Sequence, residues 1–176
     1  MWIRIRRWIM TSPHARAWSV RPEHAGTRDA ARLRRAYYAE VAGRYWGRPA
    51  TEAEVDAGIA DDAALELAPP CGRFVVGRYG GEAAACGGVR LLDACRAELT
   101  RVYVSPAARS TGGGAAVLAA LETAAAALGA SRLVLDTRLD LIEARGLYVK
   151  HGFREIAAYS SGPYSEIWYG KDIGPR

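Results

Sequence analysis

The chain has 176 residues, 50% of them hydrophobic and 24% charged, the proportions of an ordinary globular protein rather than a disordered or fibrous one. That length suits one domain with a real core, and no run of about 18 apolar residues is present to span a membrane. The formal net charge of +5 would favour an acidic ligand. The basic clusters at Arg4 to Arg7 and Arg32 to Arg35 lack the interleaved aromatic residues of a nucleic-acid surface, so they read as solvated faces and nucleic acid is not an expected partner.

The opening stretch, MWIRIRRWIM, alternates apolar and basic residues and has neither the apolar run nor the small-residue cleavage site of a secretory signal. An edge strand, a membrane-surface or polyanion contact, and a disordered extension from a start codon upstream of Met10 all fit it. We favour the last, and expect residues 1–16 to be a flexible extension ahead of one domain over 17–173. Cys71, Cys86 and Cys95 are odd in number and lack C-x-x-C spacing, which predicts free thiols in a reducing cytoplasm. Cys86 and Cys95 stand in or beside predicted strands and should be buried as small hydrophobes.

WSVRP, from Trp18 to Pro22, reads as a first strand. A helical pattern from about Glu23 to Arg44 follows, with Ala30, Leu33, Tyr37 and Val41 on one face. Thr51 to Glu54 has the S/T-x-x-E form of a capping box and opens a short helix to about Ala60. RFVVGRY, AAACGGVRLL and AELTRVYV are three successive strands of an antiparallel meander, the first two joined at Gly80-Gly81. A helix from about Gly112 to Leu128 carries Val117, Leu121, Ala125 and Leu128 on one face and stops at Gly129. RLVLDT is a buried strand parallel to the third strand of the meander, since a crossover helix joins them. A helix from about Leu141 to Lys150 and the strands FREI and SEIWYGKD complete the chain. The class is α+β, with a mixed sheet in the order β-α-α-β-β-β-α-β-α-β-β.

Gly112, Gly113 and Gly114 stand where a strand gives way to a helix, although glycine costs roughly 1 kcal/mol per residue there against alanine. The first N–H groups of a helix have no internal partner and its dipole is positive at that end, so glycines that let an anion approach the backbone suit a phosphate. The P-loop form is absent, because no lysine follows. A dinucleotide site is the rival, with Asp136 ending the next strand in the place of a ribose-binding acid, but Val117 occupies the third glycine position. Close packing of helix on sheet is the purely structural alternative.

Arg109, Gly112 and Gly114 fall in R-x-x-G-x-G spacing, and this stretch resembles the acyl-coenzyme A loop of the GNAT superfamily of N-acetyltransferases. AELTRVYVSPAARSTGGGAAVLAALE is similar to that family's fourth strand, pyrophosphate loop and third helix, and EARGLYVKHGF to its A-x-x-L-Y-x-x-x-G-F signature. The resemblance is specific from about Ala97 to Lys171, and in the N-terminal half only the order of elements supports it.

The resemblance implies a GNAT-like acyl-CoA N-acyltransferase fold and direct transfer from acetyl-CoA to an amine. The amides of Gly112, Gly113 and Gly114 would hold the pyrophosphate, with Arg109, Ser110, Thr111 and Ala115 in the same turn. Val102, Tyr103 and Val104 would pair with the pantetheine arm. Tyr148, on one helical face with Leu141 and Ala144, would protonate the leaving thiolate. The family often has Asn where Leu141 stands, so a pantetheine hydrogen bond would here be missing or supplied by Asp140. Glu98 is the candidate base for the amine; its structural alternative is an ion pair with Arg101 or Arg96. Tyr159, Tyr164 and Glu166 would border the acceptor pocket, and Gly162-Pro163 there marks a turn that would leave them surface and edge. His14, His24 and His151 have no metal spacing, so no metal is expected. A homodimer is compatible with the family. A noncatalytic coenzyme A-binding module and a transferase using another acyl carrier, such as aminoacyl-tRNA, are the alternatives.

Overall fold

The computed structural model describes residues 17–60 and 64–174, so the basic opening stretch and the extension expected over residues 1–16 lie outside the described residues. The elements run β1 (Trp18–Pro22), α1 (Arg28–Trp46), α2 (Glu52–Ala60), β2 (Gly72–Tyr79), β3 (Glu82–Leu91), β4 (Arg96–Val104), α3 (Gly113–Ala127), β5 (Arg132–Thr137), α4 (Ile142–Lys150), β6 (Arg154–Ile156) and β7 (Ile167–Asp172). This is the order read from the sequence.

Local chemistry sets the ends of the helices. α1 starts at Arg28 rather than near Glu23, because the Glu23 N–H donates to Phe74 O at 2.9 Å and Thr27 caps the helix by accepting from the Ala30 N–H. The capping box of α2 forms as its spacing predicts. Glu54 N–H donates to Thr51 Oγ1 at 3.3 Å, and Thr51 N–H donates to Glu54 Oε2 at 2.7 Å.

The strands form one seven-stranded sheet in the order β1-β2-β3-β4-β5-β7-β6. Every neighbouring pair is antiparallel except β4 with β5. Such a sheet is not the doubly wound parallel sheet of a dinucleotide site. Alternate strand residues feed two apolar clusters. Val117, Leu118 and Leu121 of α3 and Tyr148 of α4 pack on Leu99, Leu133 and Leu135 on one face, while Leu33 of α1 packs with Phe74, Val76, Cys86 and Tyr103 on the other. Among the described residues no helix is long and apolar enough to cross a membrane.

Two expectations are corrected here. Arg34 is buried, not solvated, and donates to Ala25 O at 3.3 Å, because α1 lies across the sheet on that side. Cys95 is exposed, since the link between β3 and β4 carries it off the sheet, whereas Cys86 is buried and burial pushes its thiol up to about 12.

Candidate active site

β4 and β5 form a fork. They pair at Arg96–Arg132, Ala97–Leu133 and Glu98–Val134 and then part, although β5 stays paired with β7 as far as Thr137. A bulge accompanies the parting: against β3, the register passes from Gly88 opposite Thr100 to Cys86 opposite Tyr103, which leaves one extra residue on β4. Arg101 lies in that bulge at φ 55°, and a bulge bends its strand and steepens the twist. The side of β4 turned toward β5 is therefore without a partner strand past Glu98, including the predicted segment Val102, Tyr103 and Val104. The Val104 carbonyl accepts from Arg109 Nε at 3.0 Å, and the Tyr103 ring is buried against α1.

The fork leads into the glycine loop. Ser110 at φ 63° and Gly112 at φ 93° both adopt the left-handed conformation, which costs a non-glycine residue about 1–2 kcal/mol. Among the described residues no acceptor takes the backbone N–H groups of residues 110–115. That row of donors, at the positive end of α3, suits an anion.

The three glycines divide their work. Gly112 supplies the positive φ. A Cβ on Gly113 would stand 2.4 Å from the indole of Trp18, and one on Gly114 would stand 2.8 Å from Leu147, so these two also serve close packing. The Trp18 indole N–H donates to the Thr111 carbonyl at 3.1 Å and to its Oγ1 at 2.9 Å, while Thr111 Oγ1 donates to Ala108 O at 2.7 Å. Trp18 thus fixes the loop from β1, a role that 93 residues of separation hid from sequence reading.

Tyr148 lies on α4 and packs edgewise on Phe153, with Ala144 and Leu147 beside it. It is only 7% exposed, and no described group hydrogen-bonds its hydroxyl. Burial first, then Tyr37 and Asp136, push its ionisation above the ordinary tyrosine range. Tyr37 and Asp136 belong to the opposite face of the sheet, so the hydroxyl senses that face through the fork. The sequence reading did not give Tyr37 a place in the site.

Glu98 is buried with both oxygens engaged. Tyr159 donates its hydroxyl to Oε1 at 2.9 Å, and Arg90 donates to Oε2 at 2.8 Å. The ion pair is with Arg90, not with Arg101 or Arg96, because Arg90 of β3 is the register neighbour of Glu98. Arg96 turns instead to Asp93 at 2.7 Å.

The charged side chains around the loop are mutually committed. Arg109 reaches Glu40 at 2.5 Å, and Arg44 bridges Glu40 and Glu143. The Asp140 carboxylate receives two hydrogen bonds from Arg138, at 2.8 and 2.5 Å, which lower its pKa. Tyr164 is exposed against Tyr45, and Glu166 accepts from the Leu139 N–H at 2.8 Å.

A forked mixed sheet with a donor-lined loop on one strand and a buried tyrosine at the fork is the architecture of an acyl-CoA N-acyltransferase. The acetyltransferase (GNAT) family matches this chain over residues 30–153, and the chain belongs to that family. An "IAA acetyltransferase" of Azospirillum brasilense is 34% identical over 99 residues, a match that spans 56% of this chain and 63% of that protein. Among solved structures, a GNAT-family acetyltransferase of Staphylococcus aureus superposes with a TM-score of 0.70 at 15% identity, covering 89% of this chain and 99% of that one. A GNAT-family acetyltransferase of Elizabethkingia anophelis with acetyl-CoA bound gives 0.60 at 17% identity, covering 88% and 97%. At those identities the likeness is one of fold.

Proposed function

We propose that the protein is an N-acetyltransferase that moves an acetyl group from acetyl-CoA directly to a primary amine of a small molecule or peptide. The observation that carries this reading is the combination, among the described residues, of three features: the unpaired side of β4, the row of unsatisfied N–H groups over residues 110–115, and the unpartnered hydroxyl of Tyr148. In this reading the donors of Ser110, Thr111, Gly112, Gly113, Gly114 and Ala115 take the pyrophosphate. The pantetheine arm lies along Val102, Tyr103 and Val104 against Ala144. Arg109 holds the loop in shape from Glu40 and Val104, and Asp140 acts through Arg138 on the start of α4.

The amine nitrogen attacks the thioester carbonyl, the carbon–sulfur bond breaks, and the Tyr148 hydroxyl gives its proton to the thiolate. Burial keeps that hydroxyl protonated well past neutral pH, as an acid requires. The three unpaired thiols fit a reducing compartment, and a cytoplasmic setting is part of the proposal.

The test is the melting temperature with and without acetyl-CoA, with NAD as control. At 100 times its dissociation constant the donor should raise it by about 5–11 °C. Arg109→Glu should shrink that shift. An unmoved melting temperature would overturn the donor assignment, and a shift with NAD alone would reassign the loop.

A further inference from the structure

Among the described residues, the carboxylates withdrawn from full exposure are Glu23, Asp29, Glu40, Glu54, Glu98, Glu122 and Asp136. Each of the first six has an Arg or Lys within ion-pair distance. Asp136 has none. Its Oδ2 accepts from the Ser165 hydroxyl, and no described group donates to Oδ1. A half-buried carboxylate without a counter-ion is a cost that structure alone does not require.

Its position is as telling as its lack of a partner. Asp136 is two residues beyond Val134, the last β5 residue paired with β4, so it shares a sheet face with Glu98 and stands at the mouth of the fork. Its backbone is fixed opposite Trp168 of β7. Three tyrosines of separate elements feel its charge, Tyr37 of α1, Tyr148 of α4 and Tyr159 of the β6–β7 connection, each with its ionisation opposed by it. Other charged groups on that side include the Arg90–Glu98 pair, Arg101, which acts on Tyr37, and Arg138, two residues further along, which donates to Val41 O of α1 at 2.9 Å and pairs with Asp140. A carboxylate at the mouth of the fork, with one oxygen free of any described donor, is a seat for a cation.

We propose that Asp136, set at the mouth of the β4–β5 fork and held by Ser165, binds the ammonium group of the acceptor and takes its first proton. The inference rests on the acetyl-transfer reading above. The ammonium gives one proton to Asp136, which passes it to solvent, and the neutral nitrogen attacks the thioester carbonyl. When the carbon–sulfur bond breaks, Tyr148 protonates the sulfur and recovers a proton from the acylated nitrogen. Glu98, with both oxygens engaged, positions Tyr159 instead of accepting that proton.

The experiment compares wild type, Asp136→Asn and Ser165→Ala with benzylamine, tyramine and spermidine as acceptors, alongside the acetyl-CoA melting shift. The shift should be equal in all three proteins. At pH 7, kcat/KM of D136N should fall by about 100-fold or more. The deficit should then shrink by about tenfold per pH unit as the amine loses its own proton. A rate within threefold of wild type, or a deficit constant from pH 7 to 10, overturns the assignment while leaving acetyl transfer standing. So does a wild-type protein that binds acetyl-CoA and acetylates none of the three amines. No binding of acetyl-CoA by wild type overturns both readings. Should D136N fail to fold, S165A decides: a several-fold loss restored by Ser165→Thr supports the seat, and unchanged activity overturns it.

Discussion

Trp18 and Gly113 form the tightest contact of the loop, and either residue is replaceable only at the other's expense. Gly113→Ala sets a methyl 2.4 Å from the indole, so it should destabilise by about 1–3 kcal/mol in urea unfolding, the usual cost of overpacking. Tyr148→Phe removes a buried hydroxyl with no described partner, so the melting temperature should stay level or rise while kcat drops by about 100-fold in a steady-state assay. A fall in both would make Tyr148 a packing residue. The thiols differ in the same way: a disulfide reagent should modify exposed Cys71 and Cys95 in the native protein and spare Cys86, whose burial disfavours the thiolate.

At the scale of elements, what is legible in the sequence is what depends on neighbours a few residues apart. The Thr51–Glu54 box, the apolar face of α3 and the strand order follow from spacing, and the structure contains all of them. The start of α1 follows from spacing only in part. Helical periodicity extends back toward Glu23, but the backbone there is held by β2, so Thr27 becomes the cap. Thr27→Ala should cost about 1 kcal/mol in equilibrium unfolding, and Glu23→Ala should leave the helix start unchanged. The fork is not legible in residue patterns, because a bulge at Arg101 leaves no periodic signal.

For the molecule as a whole, ion pairs set the response to pH. Glu54, Glu143 and Asp93 are each lowered to about 2, the first two mainly by Arg48 and Arg44 and the third mainly by the Cys95 backbone N–H. Their folded pKa values lie below the unfolded ones, so the stability they add is complete above about pH 4.5 and lost as pH falls toward 2. Melting temperatures between pH 7 and 2 should fall over that window, less steeply in Glu54→Gln. Added salt should reduce the effect, since Glu143 and Asp93 are exposed. At the alkaline end the sign reverses: Tyr37, Tyr148 and Tyr159 are raised, so the unfolded chain releases protons first and stability should decline above about pH 10.

The sequence by itself determined the order of the elements, the mixed sheet and the position of the glycine loop, because capping, periodicity and turn chemistry act over a few residues. Only the tertiary structure decided that Glu98 pairs with Arg90 and Tyr159, that Cys95 faces solvent, that Trp18 rests on Gly113, and that, among the described residues, Asp136 is the one shielded carboxylate without a cation. Those are contacts between segments far apart in the chain, and strand register and burial, which no local pattern encodes, bring them together.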